Sequence, residues 1–380
     1  MRAAEKDILL RQLLACAAKE RLPLHMPGHK RRLAPAPGLP AGIDFTELPD
    51  TDDLHDANGI LAAAMARTAA LYGAKRTWYL VNGSTVGLLA AVRALAPAGS
   101  RVIAARNCHK SVFHAIELGS LSVRWLLPRQ AASFGIWGSV SPEDVGRALA
   151  ECPDARCVIV TSPTYEGAVS DIAAIAALCH ENNVPLIVDE AHGAHLGLPC
   201  SAGFPKGALS CGADLVIQSA HKTLPSLTQT AWLHLGGMLA EKPGIEDEIE
   251  RQLDIFETSS PSYPLLSSLD GCTGILREDG AALFAGWNER LDRFYKSASA
   301  LTRLRVLGAD GLPPEFFAFD RGKLLVSGRG TGFSGPMLAE ALRERFGIET
   351  EMSCGENVLA MTSPCDAPDA LDRFFAALAV

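Results

Sequence analysis

The chain has 380 residues, 48% of them hydrophobic and only 6% aromatic, with 35 basic against 43 acidic side chains and a formal charge of −8. This is enough apolar material for a sizeable core in two or three domains, and it excludes a disordered, collagen-like or coiled-coil chain. The acidic balance argues against a general nucleic-acid binder, which carries a basic face.

Leu10, Leu13, Leu14 and Ala17 stand at helical spacing and predict an amphipathic first helix. Glu5, Lys6, Asp7 and Arg11 break the apolar run that a secretion signal requires. No stretch is apolar for long enough to predict a membrane span. Residues 22–42, rich in Pro, Gly and His, predict an extended arm lying across another surface. Apolar runs at 78–81, 102–105, 123–127, 157–161, 186–189, 214–218 and 231–235 then alternate with helical patterns at 58–72, 85–95, 142–150 and 172–181. That alternation predicts an α/β fold built on a mostly parallel seven-stranded sheet, with ligands beyond the carboxyl ends of its strands. Polar helices are expected at 241–256 and 281–304, separated by an uncharged Ser/Pro stretch at 258–268. A strand at 324–327, a helix at 336–346, a strand at 358–362 and a helix at 368–379 have the content of a small C-terminal α+β domain. The expected division is a helix and arm over 1–45, a large domain over 46–280 and the small domain over 281–380.

The chemistry-bearing residues gather at strand ends. The first run leads into Asn82, Gly83, Ser84, Thr85, Val86 and Gly87 at the start of a helix, which suits either a phosphate cradle or a capped turn. The run 186–189 delivers Asp189, followed by His192 and His195, a pattern open to a metal, a cationic ring nitrogen or a structural role. The run 214–218 is followed by Ser219, His221 and Lys222, and a lysine so placed becomes a nucleophile when burial or a neighbouring charge lowers its pKa. Phosphate-type turn, carboxylate and lysine on one sheet together fit pyridoxal phosphate, which needs a lysine for its aldehyde, an acid for its ring nitrogen and a phosphate pocket. Gly330, Gly332 and Gly335 match a dinucleotide fingerprint, but only a short stretch follows them, so they read as a turn in the small domain. The ten cysteines are scattered, with no CxxC and no zinc-type spacing, so reduced thiols in a cytoplasmic protein and no metal are expected. Cys108 is the one placed near the site.

The runs Leu24-His25-Met26-Pro27-Gly28-His29-Lys30, Thr46-Glu47-Leu48, Asp52-Asp53-Leu54-His55 and Asn107-Cys108-His109-Lys110-Ser111-Val112 resemble the Orn/Lys/Arg decarboxylases of the aspartate-aminotransferase fold. So do Ser162-Pro163-Thr164-Tyr165, the segment from Asp189 to His195, the segment from Ser219 to Leu224, and Thr258-Ser259-Ser260-Pro261-Ser262-Tyr263. The resemblance covers roughly residues 20–275 and implies a fold type I, pyridoxal-phosphate-dependent transferase-like architecture. It implies Lys222 as the Schiff-base lysine, Asp189 as the partner of the pyridine nitrogen, and His109 as the ring that stacks on the cofactor. Gly83, Ser84, Thr85 and Ser219 would hold the phosphate, and Thr258 would be lent by the neighbouring subunit of a homodimer or higher oligomer. His192 and His221 would flank the cofactor, with His221 a candidate proton donor to the substrate carbon.

The implied reaction is decarboxylation of arginine, lysine or ornithine toward polyamines. Transamination, oxidation and a non-catalytic cofactor-binding role remain the alternatives. The substrate-carboxylate ligand is not identified. Asp44, Glu47, Asp50, Asp52 and Asp53 are candidates for the cationic tail or a solvated acidic loop. The chain is expected to lack the further C-terminal domain of longer family members.

Overall fold

The computed structural model describes residues 8–19, 21–32 and 36–380. Its centre is a seven-stranded sheet: β1 (Arg76–Leu80), β2 (Arg101–Ala105), β3 (Ser122–Leu126), β4 (Ala155–Thr161), β5 (Leu186–Asp189), β6 (Leu215–Gln218) and β7 (Ala231–Leu235), in the order β1-β7-β6-β5-β4-β2-β3. The pairs β6/β5, β5/β4, β4/β2 and β2/β3 are parallel, whereas β7 runs antiparallel to both β1 and β6. The inner strands read as near-continuous apolar runs because helices cover both faces. Alternation decides which face each residue joins: Cys157 and Ile159 enter one core, Val158 and Val160 the other. Edge strand β3 leaves Ser122 and Arg124 exposed.

The helices are α1 (Ile8–Ala17), α2 (Ile60–Tyr72), α3 (Gly83–Leu95), α4 (Lys110–Leu118), α5 (Pro142–Glu151), α6 (Ile172–Glu181), the single turn α7 (Ala220–Thr223), α8 (Ile245–Phe256), α9 (Tyr263–Ala298), α10 (Gly335–Phe346) and α11 (Ala370–Leu378). α3, α4 and α8 cover one sheet face, and α5 and α6 the other. The small sheet is antiparallel, with strands β8 (Arg305–Val306), β9 (Lys323–Ser327), β10 (Met352–Cys354) and β11 (Asn357–Met361) in the order β8-β9-β11-β10. A short antiparallel pair, Ala168–Val169 with Ala318–Phe319, ties the two parts together.

Three expectations differ in detail. The Ser/Pro stretch is helical from Tyr263 onward, since α9 runs 36 residues and Pro264 occupies its first turn, where the missing N–H costs nothing. Residues 280 and 281, the expected domain junction, therefore lie inside one helix. Among the described side chains of α1, Leu9 and Leu13 are buried and Leu14 is exposed. The Leu9 N–H donates to the buried Asp270 Oδ2 at 2.9 Å and fixes which side of α1 meets α9. Third, α4 went unread, because its residues look like a loop motif. His109 caps it by accepting from the Ser111 N–H at 3.2 Å.

Asp270 joins three helices. Besides Leu9 it takes Arg67 Nη2 at 2.7 Å and Nε at 3.1 Å through its other oxygen. Asp270→Ala would leave a largely buried guanidinium without its partner, so we expect a loss of about 3–5 kcal/mol in urea unfolding. A loss within about 1 kcal/mol, the range of an exposed pair, would show that the contact is not structural.

Candidate active site

At the carboxyl ends of the parallel strands lies a cavity of about 410 Å³, lined among others by Gly83, Ser84, Thr85, His109, Asp189, His192, Ser219, His221 and Lys222. Residues that are remote in sequence meet here because each follows the end of a strand of the same sheet. Thr258 does not line the cavity of its own chain. Its amide donates to Asn82 Oδ1 at 3.0 Å, and its carbonyl accepts from His55 Nε2 at 2.9 Å.

That first contact matters for α3. Asn82 is its N-cap residue but makes no capping bond, since its side chain is engaged by Thr258. By contrast, Ser141 and Asp171 cap α5 and α6 from their side chains. The leading N–H groups of α3 are therefore uncapped beside the Ser84 and Thr85 side chains, and the helix dipole favours an anion there. Ser219 Oγ donates to Ser84 Oγ at 3.0 Å and brings a third hydroxyl to the same spot. Gly83 holds φ at +77°, a conformation that glycine adopts without strain.

Asp189 is 2% exposed, and among the described residues its Oδ1 accepts only the Ala191 N–H, at 3.1 Å. Burial raises its pKa; the Ala191 bond and the charge of Lys222 oppose that without cancelling it. Lys222 has its own pKa lowered by burial, against the pull of Asp189 and Glu351. Its Nζ lies 3.0 Å from His192 Nε2. His221 is oriented by Nδ1 at 2.8 Å from the Thr230 carbonyl. Burial, then Lys222, lowers His109, whose Nδ1 is taken by Ser111. Burial, then Asp189, pushes the Cys108 thiol up to about 12, so it is no thiolate.

Two groups lining the cavity, Asn107 Oδ1 and Thr161 Oγ1, are buried without a hydrogen-bond partner. Unpartnered polar atoms, a desolvated carboxylate, an amine and an open helix N-terminus suit a ligand with a phosphate, a basic ring nitrogen and a carbonyl carbon. Pyridoxal phosphate has all three.

The rival readings separate on geometry. His195 is fully buried outside the cavity lining, with Nε2 at 3.2 Å from Asp320 Oδ1. Among the described residues no cluster of His, Cys, Asp and Glu could hold a metal. The glycine-rich segment 330–335 links antiparallel β9 to α10, with Ser334 capping that helix. None of Asp44, Glu47, Asp50, Asp52 and Asp53 lines the cavity. Asp52 caps α2 through the Gly59 and Leu61 amides at 2.8 and 2.9 Å, Asp50 pairs with Lys19 and Arg21, and Asp44 meets His29.

Sequence reasoning missed three residues. Thr161 closes the end of β4. Lys323, in the small sheet, reaches His192 Nδ1 at 2.9 Å. Exposed Glu351 accepts from the Tyr165 hydroxyl at 2.5 Å, and Tyr165 lies edge-on to His192 in the cavity wall. The one sequence signal for Lys323 was a charge at the head of an apolar strand, the usual mark of a solvated strand end.

The model of the family described as Orn/Lys/Arg decarboxylase, major domain, matches residues 41–309. An arginine decarboxylase of Bacillus subtilis is 31% identical over 370 residues, 95% of this chain and 74% of that protein. The uncharacterized protein YaaO of the same organism is 41% identical over 230 residues, 60% of this chain but 46% of its own length. The crystal structure of the lysine decarboxylase LdcF from Francisella novicida superposes with a TM-score of 0.81 at 19% identity, covering 98% of this chain and 59% of that one. It supports a fold type I α/β architecture. Among the described residues no helix is long and apolar enough to cross a membrane.

The lowered pKa of Lys222 has a direct consequence. Acylation by an amine-directed reagent, followed by peptide mass spectrometry, should reach half-rate at a lower pH for Lys222 than for the lysine of a short unstructured peptide. Coincident pH profiles would contradict the assignment of a partly desolvated amine.

Proposed function

Since the chain belongs to the Orn/Lys/Arg decarboxylase family, whose cofactor is pyridoxal phosphate, we propose that it removes the α-carboxylate of a basic amino acid as carbon dioxide and leaves the amine. Arginine is the first candidate, ahead of lysine and ornithine, because the relative aligned over 95% of the chain is named for it. The observation that carries the reading is the meeting of Lys222, the desolvated Asp189 and the uncapped start of α3 in one cavity.

When bound, pyridoxal phosphate supplies an aldehyde for amines and a ring that takes up the electron pair left by the departing carboxylate. The chain's residues divide the remaining work. The α3 amides with Ser84, Thr85 and Ser219 bind the phosphate. Asp189 keeps a proton on the ring nitrogen through a charge-assisted bond, which its burial strengthens. Lys222 offers its amine at the reacting carbon, and the lowered pKa keeps more of that amine unprotonated. His109 covers one ring face. His221, steadied by Thr230, returns a proton to the substrate α-carbon. Glu351, held by Tyr165 and felt electrostatically by Lys222, is the carboxylate proposed for the cationic tail.

Purified protein supplied with pyridoxal phosphate should show the visible absorption of a Schiff base and release carbon dioxide from arginine. Lys222→Ala should lose both. Glu351→Gln should raise KM about tenfold, with kcat changed far less, as expected when a charge-assisted contact is lost from ground and transition states alike. An oxo acid in place of carbon dioxide would move the assignment to transamination or oxidation.

A cytoplasmic homodimer or higher oligomer making polyamine precursors completes the proposal. The oligomer is supported by the exposed Leu22, Leu24 and Met26 of the arm, whose apolar surface calls for a partner. Sedimentation at working concentration should give at least a dimer; a fully active monomer would refute it.

A further inference from the structure

Lys323 begins β9, is 1% exposed, and sends its side chain out of the small sheet to the cavity histidine. Its Nζ lies 2.9 Å from His192 Nδ1, while the other ring nitrogen, Nε2, lies 3.0 Å from Lys222 Nζ. Three nitrogen centres therefore form one chain: lysine, imidazole, lysine. The stem of Lys323 is held in place. Gly167 has φ +105°, and a side chain there would stand 3.0 Å from Lys323 Cβ and Cγ, so the lysine packs directly on glycine backbone. The Asp320 N–H donates to the Gly167 carbonyl at 2.9 Å, and the Lys323 N–H to the Asp320 carbonyl at 3.0 Å, anchoring the turn from which the side chain departs.

A neutral imidazole carries one N–H, and an ammonium can only donate. When Lys323 is charged, His192 Nδ1 must accept, so the ring proton sits on Nε2 and points at Lys222. Lys222 must then accept, which it can do only as a free amine. The mirror arrangement is a neutral Lys323 accepting from Nδ1–H, with Nε2 accepting from a charged Lys222. Each arrangement holds one positive charge and satisfies every nitrogen. Passing between them breaks a Lys323 N–H bond, forms Nδ1–H, breaks Nε2–H and forms a Lys222 N–H bond. One proton's worth of charge moves from one lysine to the other, and nothing is oxidised or reduced.

We propose that Lys323 is a positioning residue of this enzyme: by donating to His192 Nδ1 it fixes the Nε2–H tautomer and holds Lys222 as a free amine, and it takes up the charge whenever Lys222 releases a proton. The proposal deepens the reading of Lys222 as the cofactor lysine and rests on it. Surrounding charges keep both arrangements within reach. Burial brings Lys323 down to about 8, opposed by Asp320, assisted by Lys222 and opposed again by Glu351 and Glu166. Burial likewise lowers His192 well below its ordinary value, and Lys323, Lys222, His109 and His221 lower it further, so the ring stays neutral and relays rather than stores charge.

The test uses the full chain with ¹⁵N-labelled histidine assigned through His192→Gln; the tautomer is read before pyridoxal phosphate is added, while Lys222 is a free amine, and the visible band after the cofactor is loaded. In the wild type at neutral pH, His192 should show a protonated Nε2 and an unprotonated Nδ1. Lys323→Met, which keeps the buried volume, should abolish that preference and shift the pH midpoint of the visible band by about one unit, a tenfold change in proton affinity. Lys323→Arg, which retains a permanent donor, should keep the wild-type tautomer. A lysine that merely fills space would lower stability in Lys323→Met while leaving both the tautomer and the midpoint unchanged, and that result overturns the proposal. Should Lys323→Met not fold, the proposal falls if wild-type His192 carries its proton on Nδ1, or if Lys323→Arg does. A wild type that forms no visible band with the cofactor would refute the functional reading instead, and the tautomer of His192 still decides the present one.

Discussion

A carboxylate withdrawn from water at the tip of β5 is the constraint around which the molecule is arranged. Burying Asp189 raises its proton affinity, and a single backbone amide and the charge of Lys222 only partly offset that. Such a group is unfavourable in an empty apolar core and favourable beside a cationic ring nitrogen. The parallel sheet makes the placement attainable. β1, β5 and β6 run the same way and end at the same edge, so phosphate turn, carboxylate and lysine meet there without long loops. The reversed β7 also contributes, since Thr230, just before its start, supplies the carbonyl that orients His221.

Most of this large-domain arrangement was legible in the sequence because it rests on local signals. Buried strands appear as short apolar runs, and the residue after each run is where a ligand sits; Asp189, Ser219 and Lys222 could be picked out that way. The small domain's contribution was not legible. Lys323 and Glu351 reach the cavity region through antiparallel pairing and the turn at Asp320, and no spacing in the chain records such contacts. Local propensity also misled. Proline and serine at 261–264 suggested a loop, yet a proline in the first turn of a helix is harmless, and α9 begins there. The acidic group near residue 50 stayed open between a substrate ligand and a capping, solvated loop, because net charge does not reveal that Asp52 is engaged by the Gly59 and Leu61 amides at the start of α2.

The charge pattern around Lys222 explains why its neighbours must be neutral. His109 and His192 both have lowered proton affinity, chiefly from burial, and the lysines add to the effect. A cavity with imidazolium on either side of a reactive amine would repel the cofactor's protonated nitrogen as well as a cationic substrate. Neutral rings supply donors and acceptors without that repulsion, and the acids Asp189 and Glu351 set the local field.

The 36-residue α9, about 54 Å long at 1.5 Å per residue, packs Leu266 and Leu269 into the same core that receives Phe284, Trp287 and Phe294, together with Leu324 and Val326 of the small sheet. It acts as an axle through both halves of the molecule. The halves cannot swing apart like a clamshell without bending a rod gripped along its length, so the separation between β9 and the cavity histidine is set like a gauge block. A spacer of this kind holds the small sheet at a set distance from the large one, and with it the 2.9 Å contact between Lys323 and His192.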